Sequence, residues 1–132
     1  MFNIDADLSN LEKGVWAEYR GSNFLIAHTS SPKFQRSLAR HQLPVRRKLN
    51  EGTLDPEKNK EIVARAMSES ILLDWKDVVD GDKKAVPYTP ELAFKALMRD
   101  PEFRDFVTEF AMAISNFRDA EVSEMGEASS VG

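Results

Sequence analysis

The residues that set the fold class of this chain are 15–28, which read VWAEYRGSNFLIAH. Two runs of β-branched and aromatic residues, 15–19 and 24–28, lie on either side of a turn-forming segment, and this arrangement predicts a β-hairpin. Gly21 or Asn23 can supply any positive φ angle that the turn requires. Because two strands alone are marginally stable in water, the hairpin must pack its apolar face on other elements of the chain.

The sequence after the hairpin predicts four amphipathic helices. Each begins with a capping side chain followed by proline, which is well tolerated at the first helical position. The predicted helices are 32–42, 56–79, 90–99 and 101–119. Pro44 should kink or break the chain after the first helix. In the second, apolar residues recur at helical spacing: Val63, Met67, Ile71, Trp75 and Val78. The sequence therefore predicts a mainly helical α+β fold, with an N-terminal β-hairpin packed on about four helices.

The length of 132 residues fits one small domain. Residues 1–13 contain scattered apolar positions without a sustained period, and we interpret them as an N-terminal arm. Residues 14–119 are predicted to form a single globular domain. Residues 120–132 combine acidic residues with serine and glycine, which indicates a flexible acidic tail.

Composition argues against most enzymatic chemistry. The chain has no cysteine and only two histidines, so disulfides, thiolate zinc sites and a cysteine nucleophile are excluded. His28 and His41 lack the sequence context of a catalytic triad, and we interpret them as a half-buried strand residue and a surface residue. The acids Asp74, Asp77 and Asp80 lack the spacing of a calcium loop and are interpreted as a solvated helix face. We therefore predict no catalytic residue, no metal and no cofactor.

No apolar run approaches the roughly 18 residues that span a bilayer. The N-terminus, MFNID, has neither the basic flank nor the apolar stretch of a signal peptide. These features predict a cytoplasmic protein that has no membrane partner.

The strongest electrostatic feature is the basic segment 33–48, in a chain whose net charge is −4. It carries six cations and no acid: Lys33, Arg36, Arg40, Arg46, Arg47 and Lys48. A solvated face, a protein partner and a nucleic acid are all compatible with this pattern. Nucleic acid is the least favoured, because a DNA-binding domain is normally basic overall.

Aromatic side chains provide a second candidate surface. Phe103, Phe106 and Phe110 follow the 3-4 rhythm of a helix face, which is usually core but could leave an exposed groove. Trp16 and Phe24 lie on the hairpin. We predict that copies of the chain associate head to tail, with the basic segment meeting an acidic region of another copy. Because exposed ion pairs contribute only about 0–1 kcal/mol each, these aromatics are expected to add apolar contacts that salt does not dissociate.

Several motifs along residues 14–118 resemble one known family. They are Gly14-Val15-Trp16, Phe24-Leu25-Ile26-Ala27, Pro32-Lys33-Phe34, Leu73-Asp74-Trp75-Lys76-Asp77-Val78, Pro87-Tyr88-Thr89-Pro90-Glu91 and Asp100-Pro101-Glu102-Phe103. In their order along the chain they are similar to the tail assembly chaperones of long-tailed, non-contractile bacteriophages.

This resemblance implies a non-enzymatic role. Members of the family bind the long, apolar, helical tape measure protein and keep it soluble before the tail tube polymerises around it. A ribosomal frameshift commonly produces a longer form, whose extension recruits the tail tube protein, and the acidic end of this chain suits the short form. The implied location is the host bacterial cytoplasm, and the chaperone is absent from the finished virion. The alternative function is a small DNA-binding regulator that uses residues 33–48.

Overall fold

A three-stranded antiparallel sheet with helices packed against it forms the protein. The structure is a computed structural model and describes residues 1–118. The strands are β1 (Val15–Tyr19), β2 (Ser22–Ile26) and β3 (Leu72–Lys76), in the order β1-β2-β3. The helices are α1 (Asn10–Lys13), α2 (Pro32–Gln42), α3 (Arg46–Glu51), α4 (Pro56–Ser70), α5 (Pro90–Arg99) and α6 (Pro101–Met112), and a 3₁₀ turn covers Leu43–Val45. The predicted α+β fold with an N-terminal hairpin is confirmed.

The hairpin closes with a two-residue turn. Tyr19 pairs with Ser22, and the residues between them, Arg20 and Gly21, have φ angles of 51° and 82°. Two successive positive φ angles are typical of the type I′ turn, whose twist matches that of the flanking strands. Gly21 therefore supplies a positive φ as predicted, whereas Asn23 belongs to β2.

Three of the four predicted helix starts have the expected side-chain cap, whereas Ser31 before α2 makes no capping hydrogen bond. Asp55 Oδ1 accepts a hydrogen bond from the amide of Glu57 at 3.0 Å, and Thr89 Oγ1 accepts one from Leu92 at 3.1 Å. The predicted bounds 32–42 and 90–99 are confirmed. Pro44 lies in the 3₁₀ turn that separates α2 from α3, so the predicted interruption is also confirmed.

The predicted helix 56–79 is wrong beyond Ser70, because the chain turns into β3. Strand β2 offers a second edge, and β3 pairs with it so that Phe24 lies opposite Trp75. The amide of Ala27 also donates to the carbonyl oxygen of Ile71 at 2.9 Å. The backbone hydrogen bonds between β3 and β2, which are far apart in sequence, therefore outweigh the helical spacing of the apolar residues. That spacing expresses only a weak local preference for helix.

The strand β3 also corrects the prediction that Asp74, Asp77 and Asp80 share a solvated helix face. Asp74 lies in β3, and Asp77 follows the strand with a φ angle of 62°. Asp80 Oδ1 accepts hydrogen bonds from the amides of Asp82 and Lys84, at 2.8 and 3.0 Å. These carboxylates therefore do not lie on one helix face. The Asp80 carboxylate instead stabilises the loop 80–84.

The predicted helix 101–119 is interrupted at Ala113, which has φ −90° and ψ 99°. The carbonyl oxygen of Ala111 accepts a hydrogen bond from the amide of Thr29 at 3.0 Å, in place of the helical bond that would continue α6. Residues 114–118 are helical again, and Phe117 is buried there. Residue 119 lies outside the described residues.

The core fills the space between the sheet and helices α2, α4, α5 and α6. Its fully buried side chains include Ile26, Ile71, Leu72, Leu97 and Val107. Within the described residues, no helix is long and apolar enough to cross a membrane. The predicted acidic tail, 120–132, lies outside the described residues.

Candidate functional site

The basic segment covers α2 from Lys33 onward, the 3₁₀ turn and the first half of α3. All six of its cationic side chains are exposed. Arg40 pairs with Glu69, and Arg47 pairs with Glu51 at 3.2 Å. Four cations form no ion pair with any residue in the range 1–118: Lys33, Arg36, Arg46 and Lys48. These four can contact an anionic partner without breaking an internal ion pair.

Glu69 on α4 is the centre of a polar cluster that fastens α2 to α4. Its Oε1 lies 2.7 Å from Nε2 of His41, and its Oε2 accepts from Ser37 Oγ at 3.1 Å and from Arg40. Burial alone would raise the pKa of Glu69, but the hydrogen bonds from His41 and Ser37 and the charge of Arg40 together lower it. Arg40 and His41 are therefore structural contacts of α4 as well as members of the basic segment.

Phe24 and Phe103 lie in the core. They are 6% and 5% exposed, and their ring centroids are 4.9 Å apart. The surface role expected of these two residues from the sequence is therefore not available to them in this fold. The physical reason is that α6 packs against β2, so that the first turn of α6 covers the hairpin.

Trp16, Phe106 and Phe110 keep part of their surface exposed. Trp16 is 40% exposed, with Lys76 Nζ 4.3 Å from its ring centroid. Phe106 stacks on Tyr19 at 4.6 Å and lies 6.2 Å from Phe110. The structure thus separates the aromatic candidates: Trp16 lies on the hairpin, and the other two form a half-buried row on α6.

An apolar cleft opens at the turn end of the hairpin, next to the junction of α5 and α6. Its volume is about 570 Å³. Its apolar walls are formed by Phe24, Trp75, Val78, Val79, Ala96, Pro101 and Phe103. Its charged lining residues are Arg20, Arg99 and Asp100. Arg20 pairs with Glu102 at 2.9 Å, while Arg99 has no ion pair among the described side chains.

A second surface, the α4–α5 groove, is an open depression of about 700 Å³. Leu92, Phe94 and Met98 of α5 contribute its apolar, half-buried side chains. Its charged side chains have both signs: Glu61, Glu91, Lys95 and Arg99. The guanidinium of Arg65 lies 3.5 Å from the Phe94 ring centroid and donates to Glu91 at 2.9 Å.

Sequence reasoning missed the groove and the exposed Val79 of the cleft. The spacing of four between Phe94 and Met98 was the available signal, since residues four apart share a helix face. That face is distinct from the fully buried one formed by Ala93 and Leu97. Val79 gave no such signal. The sequence predicted that it ends the helix 56–79, but in the structure that helix, α4, ends at Ser70.

The histidines have structural contacts. His28 follows β2 and is buried, with its ring edge-on to Phe117 at 5.3 Å. Its Nδ1 accepts a hydrogen bond from the amide of Ser30 at 3.0 Å. Among residues 1–118, no group of three or more histidine, aspartate or glutamate side chains is placed to hold a metal ion.

The described surfaces are those of a small α+β protein with an apolar cleft, an apolar groove and a basic segment. The family model of the YdaY prophage protein matches residues 29–128. The chain belongs to this family and is a phage-derived protein. No curated protein and no solved structure matches the chain.

Proposed function

We propose that this phage-derived chain is a tail assembly chaperone that binds the tape measure protein and keeps it soluble until the tail tube forms. Its membership of a prophage family supports a phage role, and the resemblance of residues 14–118 to tail assembly chaperones supports this one. In this proposal the chain acts in the host cytoplasm without catalysis. A longer frameshifted form connects it to the tail tube protein, and neither form stays in the virion.

The observation that carries the proposal is the α4–α5 groove. Leu92, Phe94 and Met98 offer apolar surface on one side of α5, between charged groups of both signs. An amphipathic helix binds such a groove through apolar side chains spaced by three or four residues. Met98 would allow the groove to bind many similar segments of one client, because the flexible thioether side chain of methionine adapts to irregular surfaces.

Co-expression with the tape measure protein of the same prophage tests the proposal. The measured quantities are the soluble fraction of the tape measure protein and the amount that copurifies with the chain. Met98→Glu places a charge in the groove and should abolish copurification. Met112→Glu is the matched control, because Met112 is 64% exposed on α6 and does not line the groove. Equal solubility of the tape measure protein with and without the chain would contradict the proposal.

The exposed cations favour one second candidate, a DNA-binding regulator. Lys33, Arg36, Arg46 and Lys48 project from α2 and α3 without ion pairs among the described residues. Phosphate binding weakens steeply with salt, so a gel shift with duplex DNA across a salt series separates the two functions. The chaperone proposal expects no retention at physiological salt. Retention that Arg36→Glu abolishes would favour the regulator.

A further inference from the structure

The N-terminal arm presents apolar side chains that the rest of residues 1–118 leaves uncovered. Phe2 and Ile4 are 85% and 83% exposed, and Leu8 is also exposed. Asp5 and Asp7 lie between these apolar positions. The arm is therefore an apolar segment that carries negative charge.

The cleft at the hairpin turn has the complementary chemistry. Its walls are apolar, and Val79 among them is 55% exposed. Three charged residues, Arg20, Arg99 and Asp100, also line it. Arg20 is paired with Glu102 and Asp100 caps α6, so Arg99 is the lining cation that forms no ion pair within residues 1–118. Its volume falls within the range of pockets that hold small ligands, which is enough for a few side chains of a peptide.

The arm and the cleft lie at opposite ends of the hairpin. Helix α1 joins the arm to the Val15 end of β1, where the carbonyl oxygen of Leu11 accepts a hydrogen bond from the amide of His28 at 2.8 Å. The cleft begins at Tyr19, the other end of the same strand. At about 3.4 Å per residue, the two ends are ~14 Å apart.

We propose that the arm of one copy, residues 2–8, occupies the cleft of a second copy. Phe2 and Ile4 enter the apolar part of the cleft, while Asp5 and Asp7 face Arg99. Complementary charge fixes the register of such a contact, and apolar burial supplies most of its affinity.

Because the donor segment and the acceptor cleft are different surfaces, the contact is heterologous and each copy can accept one neighbour and donate to another. Successive contacts of this kind build a ring if the rotation between copies closes and an open row if it does not. This association does not need the tape measure protein and shares only Arg99 with the α4–α5 groove, so it can be tested on the chain alone.

Light-scattering mass measured across protein concentration tests the contact. The double variant Phe2→Ser with Ile4→Ser removes the arm's apolar groups, and Val79→Asp places an acid in the cleft. Each should raise the dissociation constant about tenfold or more, the effect of losing apolar contacts worth at least 1.4 kcal/mol. Met112→Asp is the control, because Met112 is 64% exposed and lies outside the arm, the cleft and the basic segment. It should associate like the wild type.

Mixing the two variants tests whether the arm of one copy binds the cleft of the other. The arm variant keeps an intact cleft, and Val79→Asp keeps an intact arm, so an equimolar mixture should form one-to-one pairs and no longer species. Circular dichroism establishes that each variant is folded. A wild-type chain that stays monomeric at millimolar concentration overturns the proposal, as does unchanged association of both variants. Loss of tape measure binding in Val79→Asp without any change in self-association would assign the cleft to the client and overturn the proposal too.

Discussion

The hydroxyl group of Tyr88 donates a hydrogen bond of 2.6 Å to the carbonyl oxygen of Leu72. The Tyr88 ring lies edge-on to Trp75 at 5.3 Å, and Trp75 Nε1 donates to the carbonyl oxygen of Val86 at 2.8 Å. These contacts tie the segment after β3 back onto that strand. They hold residues 86–88, which lead into α5, against β3. The position of α5, and with it that of the α4–α5 groove, is thereby fixed relative to the sheet.

Tyr88→Phe is expected to lower the free energy of unfolding by about 1 kcal/mol, the net contribution of a typical hydrogen bond. Urea unfolding followed by circular dichroism measures the change. Tyr19→Phe is the matched control, because the buried Tyr19 hydroxyl has no hydrogen-bond partner within the described residues. Removing that hydroxyl should leave stability unchanged or raise it. Equal losses in the two variants would contradict the role of the Leu72 contact.

Acid should weaken the protein partly through Glu69. Its pKa in the folded state is below the ordinary value of 4.5, so its contribution to stability is complete above that value and is lost as the pH falls through the folded-state pKa. Glu69→Gln should therefore be less stable than the wild type at pH 7, with a smaller difference near pH 3. Unfolding midpoints across this pH range measure it. Glu102→Gln serves as the control, because both members of the Arg20–Glu102 pair are well exposed and such pairs contribute little.

Gly14→Ala should destabilise the protein by about 1–3 kcal/mol. Gly14 has φ 90° and ψ 165°, a conformation that is open almost only to glycine. A Cβ atom there would also lie 3.1 Å from Cγ of Leu25 and 3.2 Å from the carbonyl oxygen of Ile26. Thermal unfolding compares this variant with Gly81→Ala, whose added Cβ would meet no described atom within 4 Å. A similar loss in both variants would refute this explanation.

Asp100 ends α5 and caps α6. Its Oδ1 accepts hydrogen bonds from the amides of Glu102 and Phe103, at 3.0 and 3.1 Å. Asp100→Ala should cost about 1 kcal/mol, as is typical of a lost N-cap. Asp100→Asn keeps an acceptor oxygen and should retain most of the stability. Chemical unfolding of the two variants checks this order, and an alanine variant as stable as the asparagine one would contradict it.

The hairpin and most helix starts could be predicted because their signals are local. The run 15–28 contains both strands and their turn, and capping residues such as Asp55 and Thr89 act on the next few amides. Strand β3 could not be predicted in this way. Its partner is β2, and the residues between them form α2, α3 and α4, so the pairing that decides its conformation is absent from its own neighbourhood.

The candidate surfaces were predictable only in part for the same reason. The basic segment can be recognised from the sequence, because its cations are close together along the chain and their clustering does not depend on how the chain packs. The difference between buried Phe103 and half-exposed Phe106 depends on how α6 rests on β1 and β2. Leu92 packs partly against the core and also lines the groove, and this division depends on how α5 packs in the fold.

The order of the strands affects how the chain folds during synthesis. The hairpin leaves the ribosome first, whereas Leu72, which begins the strand that covers the second edge of β2, follows much later. Until then β2 has an open edge, and such edges pair readily with other chains. A nascent or truncated chain that ends before β3 therefore carries a strand edge free to aggregate. The second edge of β2 therefore stays open to other chains for as long as α2, α3 and α4 are being synthesised.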